Sequence, residues 1–456
     1  MVTVAPDVVS IAGPVDLPLT GEQDVQAACG IMHVNGRSAG RPKPLGFDYV
    51  SAVAAELAEL GLAALKLAQA RDIPLRTVST SLAQAALLAV SQYLAAATAD
   101  EAEEPLVPGW PAFRSTEGVR FEIEALDPLV WNHFWTELGA GVADVSRGWR
   151  PFLHRFATAA CPLPPALHEL LATQPITRIE DTGRRVGMTV VRVAEHAIDH
   201  LPPFALSGSV SGGPGRAEGP LPLSGLVVVE SCRRVQGPMA GHLLRLLGAD
   251  VIRVEPPGGD PLRWVPPMAG ETSARFRALN TGKQAVEIDL ASPVGRRHLL
   301  DLVADADVFL HNWAPGKAER WSLRARDLSR VQPNIVYAYA SGWGDELGPN
   351  PPLGTDFAVQ AYAGVPPSPM TIVDVFGGIV CAHGIVAALA SGASHVGSSL
   401  LSAACRLNAR SHTRCAAPRT VPVCDDLAVL AADQRFARAL IHDVCTLVAS
   451  PWEFAS

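Results

Sequence analysis

Two stretches of the sequence hold groups that could do chemistry. The first is Ser231-Cys232-Arg233-Arg234-Val235-Gln236-Gly237, between an apolar run of strand length at 226–230 and a run from Pro238 to Leu247 with its large apolar residues at helical spacing. A second strand at 250–255 follows Gly248, and a short crossover helix between two strands implies parallel neighbours. The turn therefore lies at the carboxyl end of a strand and the amino end of a helix, where open α/β sheets bind ligands. The second stretch is Thr371-Ile372-Val373-Asp374-Val375-Phe376-Gly377-Gly378, in which Asp374 stands at the start of an apolar helix. An aspartate there is either an N-cap or a reactive carboxylate held ionised by the first backbone amides.

The elements that must position these groups alternate between strand and helix. Strand patterns at 285–290, 308–312 and 335–340 are separated by helical runs, one opened by Ser292 as cap and Pro293 at the first position. This predicts an α/β fold with a doubly wound, Rossmann-like parallel sheet over 222–405. Residues 105–201 have a mixed, aromatic texture and predict a second, smaller α+β domain with a hairpin turn at Thr116-Glu117-Gly118. Residues 1–104 are helix-rich, with helices expected at 48–69 and 82–94. The Gly/Ser/Pro-rich segment 202–221 reads as a flexible linker, and 406–456 as a C-terminal tail, helical from Asp425 up to Ser450.

An internal echo links the two ends. Val25-Gln26-Ala27, Gly61 and Val78-Ser79-Thr80-Ser81-Leu82 are matched in order by Val359-Gln360-Ala361, Gly384 and Val396-Gly397-Ser398-Ser399-Leu400. Either Ser51 or Asp48 falls opposite Asp374.

The chain has 456 residues, more than one compact core, and a hydrophobic fraction of 48%. A net charge of -8 gives no basic footprint for nucleic acid. Eight scattered cysteines, Cys415 among them, show no Cys-x-x-Cys and no Cys/His cluster, so neither a metal site nor a disulfide framework is expected. The start, Met1 to Asp7, has no signal-peptide pattern, and no segment reads as a membrane span, so a soluble, cytoplasmic protein is expected.

Several short motifs together resemble family III CoA-transferases. They are Val235-Gln236-Gly237-Pro238, 247–256, Asn280 with Lys283, Asp307-Val308, Asn312-Trp313 with Pro315-Gly316, and Ser341-Gly342 with Gly344. The family's segments stand in an unusual order: the small domain precedes the half it normally follows, and 20–100 looks like a second copy of the segment around the aspartate. The resemblance implies an acyl-CoA:carboxylate CoA-transferase in which Asp374 attacks a thioester, forming a mixed anhydride and then an aspartyl-CoA thioester. The glycines after Asp374 would let the thioester approach.

The resemblance also implies a CoA site at Val235, Gln236, Lys283 and Arg320, with no permanently bound cofactor, partners limited to acyl-CoA and a carboxylic acid, and a homodimer. Departures include Ala314, Thr281, Gln284 and Pro256 where members carry basic residues, and no glycine-rich loop near Trp110. They leave open a CoA-binding protein with little turnover. A 2-methylacyl-CoA racemase-like enzyme is a further alternative, although the racemases' His-Asp pair is Thr355-Asp356 here. A nucleotide-dependent oxidoreductase lacks its glycine fingerprint, and Glu255 alone does not supply it.

Overall fold

The structure is a computed structural model that describes residues 8–212, 215, 217–411 and 419–456. The Met1 to Asp7 start, Gly213-Pro214 of the expected linker and Cys415 lie outside the described residues.

The larger domain is built on a seven-stranded sheet. Its order is Gln284–Glu287, Asp250–Glu255, Val227–Ser231, Val308–His311, Val336–Ser341, His395–Ser399 and Phe204–Ser207. All neighbours are parallel except the last strand, which runs antiparallel to His395–Ser399. The central strands carry Val228, Val229, Val308, Phe309 and Leu310 out of water on both faces, as continuous apolar runs in a parallel sheet require. This is the expected Rossmann-like α/β architecture.

The smaller α+β domain pairs Phe121–Glu124 with Thr189–Arg192, antiparallel, against helices that include Val142–Thr158. Its core is aromatic, with Phe113, Trp131, Phe134, Trp135 and Phe152 buried. The hairpin expected at Thr116-Glu117-Gly118 reduces to one bridge between Arg114 and Arg120, because Phe121–Glu124 takes its partner from the far end of the domain.

The centre of the molecule is a pair of helices, Tyr49–Ala70 and Ile372–Ser391, packed on each other, with Gln236–Leu246 against the second. Contrary to expectation, Ile372–Ser391 is long and apolar enough to cross a membrane, but it is mostly buried among these neighbours. Contacts recur in register around the pair. Gln26 donates to Glu22 and to the Phe47 carbonyl, and Gln360 donates to Asp356 and to the Met370 carbonyl. Glu22 accepts from the Ser51 amide at 2.7 Å, and Asp356 accepts from the Asp374 amide at 2.6 Å. A Cβ on Gly61 would meet Val78 and Trp452, and one on Gly384 would meet Val396 and Phe204. Ser51, rather than Asp48, thus occupies the place opposite Asp374.

Three expectations change. The segment 202–221 is no free linker: Phe204–Ser207 completes the large sheet, and the Arg71 guanidinium donates to the Gly215, Pro222 and Ser224 carbonyls at 2.8 Å each. The helix at 82–94 is two, Leu82–Ala89 and Ser91–Ala97, broken at Val90. The tail is mainly extended. After a short helix, Leu427–Ala432, the strands Leu440–His442 and Thr446–Val448 pair together, and Glu453–Ala455 joins Thr77–Ser81. Val9–Ser10 pairs with the other edge of Thr77–Ser81, so a small three-stranded sheet forms there. A strand on an open edge and a hydrophobic partner face outweigh the weak helical pattern of this tail.

Candidate active site

Asp374 lies in the first turn of Ile372–Ser391, but it does not cap that helix. The N-cap is Thr371, without a side-chain cap bond, and the Asp374 amide is taken by Asp356. Asp356 is itself buried, with Gln360 on its other oxygen. The Asp374 carboxylate instead accepts from the backbone N–H of Gln236, at the start of the neighbouring helix. The two helices approach closely because Gly377 and Gly378 leave room. A Cβ on Gly378 would stand 2.7 Å from Met239 Cβ and 2.8 Å from the Gln236 carbonyl oxygen. The glycines therefore seat the Gln236 turn against the aspartate, where open access for a thioester had been expected of them.

The electrostatics follow from this enclosure. Burial pushes the Asp374 carboxyl up to about 7; Arg234 opposes the shift, Glu124 adds to it, and the Gln236 N–H opposes it. Burial and the neighbouring Asp374 also raise Asp356 well above the carboxylate range. The expectation that helix amides hold Asp374 ionised is overturned, since those amides serve Asp356 and desolvation dominates. The Gln236 side-chain nitrogen is buried with no hydrogen-bond partner, 3.3 Å from where a Gly377 Cβ would be. An orphaned buried donor is costly for folding and is suited to a developing negative charge.

Glu124 comes from the small domain. It accepts from the Thr355 hydroxyl at 2.6 Å and pairs with Arg155 at 3.2 Å. Arg155 is also 3.2 Å from Glu122, which burial raises to about 7. Trp110 stands edge-on to Phe357, the residue after Asp356, with ring centres 5.0 Å apart. The site is thus assembled from both ends of the chain.

The first turn is braced by Asn312, which accepts from the Arg233 amide at 3.0 Å and donates to the Arg233 carbonyl at 2.8 Å. Beside it Lys317 and Arg320 rise from the short helix Lys317–Trp321. The Lys317 ammonium is held below its ordinary range by partial burial, Arg233 and Arg320. Among the described residues none of these three cations is in an ion pair, so a patch of unneutralised positive charge borders the turn.

A family model, CoA-transferase family III, matches residues 223–424. The acetyl-CoA:oxalate CoA-transferase of Acetobacter aceti is 33% identical over 190 residues, 39% of this chain and 48% of that protein. The succinyl-CoA:glutarate CoA-transferase of Homo sapiens is 35% identical over 147 residues, 32% of this chain and 33% of that protein. Residues 223–424 are thus similar to CoA-transferase family III. The chain spans about half the length, or less, of the curated relatives it matches. Among solved structures, Rv3272 from M. tuberculosis is 33% identical, covers 41% of this chain and 58% of its own, and superposes with a TM-score of 0.39.

Within the matched segment, Val235 and Gln236 open the helix after the first strand, and Arg320 is exposed. Lys283 is elsewhere: its buried ammonium donates to Glu230 at 2.7 Å, to the Pro238 carbonyl at 2.8 Å and to Asn280 at 3.0 Å. It is neither a surface charge nor free to meet a phosphate, and burial lowers it to about 8. Sequence reasoning missed Arg233, Lys317, Arg234 and Glu124. The first two were signalled by their spacing from the turn and from Pro315-Gly316, whereas Glu124 gave no local signal. One cluster among the described residues has metal-ligand types within reach of each other, Glu56, Glu59 and His383, and Arg406 and Arg410 pair with both glutamates.

Proposed function

We propose that the protein is an acyl-CoA:carboxylate CoA-transferase with Asp374 as nucleophile. The observation that carries the reading is a half-buried carboxylate in the first turn of an apolar helix, raised to about 7 and set against the Gln236 backbone N–H of the neighbouring turn. A carboxylate oxygen of Asp374 attacks the thioester carbonyl, the C–S bond breaks, and CoA leaves as thiolate. The thiolate then attacks the Asp374 carbonyl of the mixed anhydride, releasing the donor acid and leaving an aspartyl-CoA thioester. The acceptor carboxylate displaces CoA from that thioester, and CoA takes the new acyl group as Asp374 is regenerated. The Gln236 amide nitrogen is suited to the oxyanion of each tetrahedral step.

The CoA phosphates are assigned to Arg233, Lys317 and Arg320, beside Val235 and Gln236, with Lys283 as an internal brace of the same turn. A racemase would need a base where Thr355 instead donates its hydroxyl to Glu124. A CoA-binding protein without turnover is supported by one observation, the withdrawal of Lys283 from the surface. We further propose that 20–100 is a partial repeat of the catalytic segment, because its hydrogen bonds fall in register with those around Asp374.

Mass spectrometry of the protein incubated with an acyl-CoA panel tests the reading. An acyl or CoA adduct on the peptide containing Asp374, absent from Asp374→Asn, is expected. CoA binding with no adduct from any thioester would leave only the binding role.

A further inference from the structure

Arg234 has no use in the steps above. It occupies the left-handed region, with φ of +64°, a conformation in which a bulky side chain is an outlier that the surroundings must enforce. The same turn delivers the Gln236 N–H to Asp374. The guanidinium lies over the Phe156 ring, 5.0 Å from its centre, and its charge acts on Glu124 and Asp374. Phe156 and Glu124 belong to the small domain, so the group sits where the two domains meet at the nucleophile.

Its donors are unused. Among the described residues Arg234 makes no hydrogen bond and no ion pair, although it is half-buried. The other buried guanidiniums nearby are committed. Arg155 pairs with Glu122 and Glu124, and Arg253 with Glu230, Glu255 and Asp260. A planar fork with free donors, backed by an aromatic face, matches a carboxylate in geometry and charge.

We propose that Arg234 is the carboxylate receptor of this site, taking the carboxylate of the acid partner and holding it against Asp374. An anionic acid must otherwise approach a site that also holds Glu124, and the guanidinium opposes that repulsion. The identity of the partner as an acyl acceptor rests on the transferase reading; the affinity for a carboxylate does not.

The test is titration calorimetry with acetate, succinate and phenylacetate, and separately with CoA, on the full chain and on Arg234→Gly and Arg234→Lys. Glycine takes the left-handed conformation without cost, so Arg234→Gly should melt at or above the parent temperature. The parent is expected to bind at least one of the acids, Arg234→Gly to bind it about tenfold or more weakly, and Arg234→Lys to recover part of the loss. CoA affinity should stay within about twofold of the parent, since Arg234 is assigned no phosphate. Undiminished acid binding in Arg234→Gly, no acid binding by the parent, or an equal loss of CoA affinity would each overturn the assignment. An acyl adduct at Asp374 together with Arg234-independent acid binding would sink this inference and leave the transferase reading standing. Arg234-dependent acid binding with no adduct from any thioester would do the reverse.

Discussion

Asp374 joins two properties that pull in opposite directions with pH. Its native carboxyl titrates at about 7, above the ordinary 3.8, so the folded protein keeps a proton there that the unfolded chain has already lost. Its contribution to stability is therefore present below pH 3.8, declines as pH rises towards 7, and is flat beyond. Nucleophilic attack needs the ionised form, so kcat/KM should rise through about pH 7 and then level. Asp374→Asn keeps an acceptor for the Gln236 N–H and removes a half-buried charge. Transfer should fall by orders of magnitude while the melting temperature at pH 8 stays level or rises. Retained transfer in this variant would take Asp374 out of the mechanism, and a flat pH profile in the parent would contradict the enclosure. The residue was legible from its sequence neighbours, but its environment was not. Burial by Asp356 and Glu124, which lie far apart in the chain, exists only after the domains close.

At the scale of elements, the site depends on how closely Gln236–Leu246 lies on Ile372–Ser391. Gly378→Ala places a methyl 2.7 Å from Met239 Cβ, so the helices must part. Overpacking of this kind costs about 1–3 kcal/mol. Because the Gln236 N–H moves with its helix, activity should fall further than stability alone explains, at temperatures where the protein is fully folded. Chemical denaturation alongside kinetics measures both; full activity despite lost stability would show that the helix spacing does not position the turn. The βα alternation was readable because strand and crossover helix have different periods and glycine marks their ends. The tail was not, since its strands Thr446–Val448 and Glu453–Ala455 are defined by partners rather than by pattern. The linker failed for the same reason: Phe204 alternates with nothing local, yet it fills the space left by Gly384.

At the scale of the molecule, each end of the chain completes the other's sheet. Phe204–Ser207, which follows the small domain, pairs with His395–Ser399, and Glu453–Ala455, at the far end, pairs with Thr77–Ser81. The echo in sequence hinted at this arrangement without fixing partners, because strand pairing across hundreds of residues leaves no local mark. Trp452 anchors the second exchange: it is buried, its indole N–H donates to the Leu57 carbonyl at 2.8 Å, and it lies against Gly61. Trp452→Ala should cost about 3–5 kcal/mol by denaturant titration, a loss characteristic of a core position rather than of a tail. The homodimer implied by family resemblance is not required to close either sheet; sedimentation at micromolar concentration tests it, and a monomer there would count against it. Neither half closes its sheet alone. A chain divided after Gly212 should give two pieces that aggregate when expressed singly, each with an unpaired strand edge and an uncovered central helix. Expressed together, they should form a one-to-one complex that melts cooperatively and binds CoA. Two pieces that each fold stably on their own would mean that the paired helices Tyr49–Ala70 and Ile372–Ser391 are a contact between independent domains, and that the site at Asp374 does not need the half that supplies Glu124.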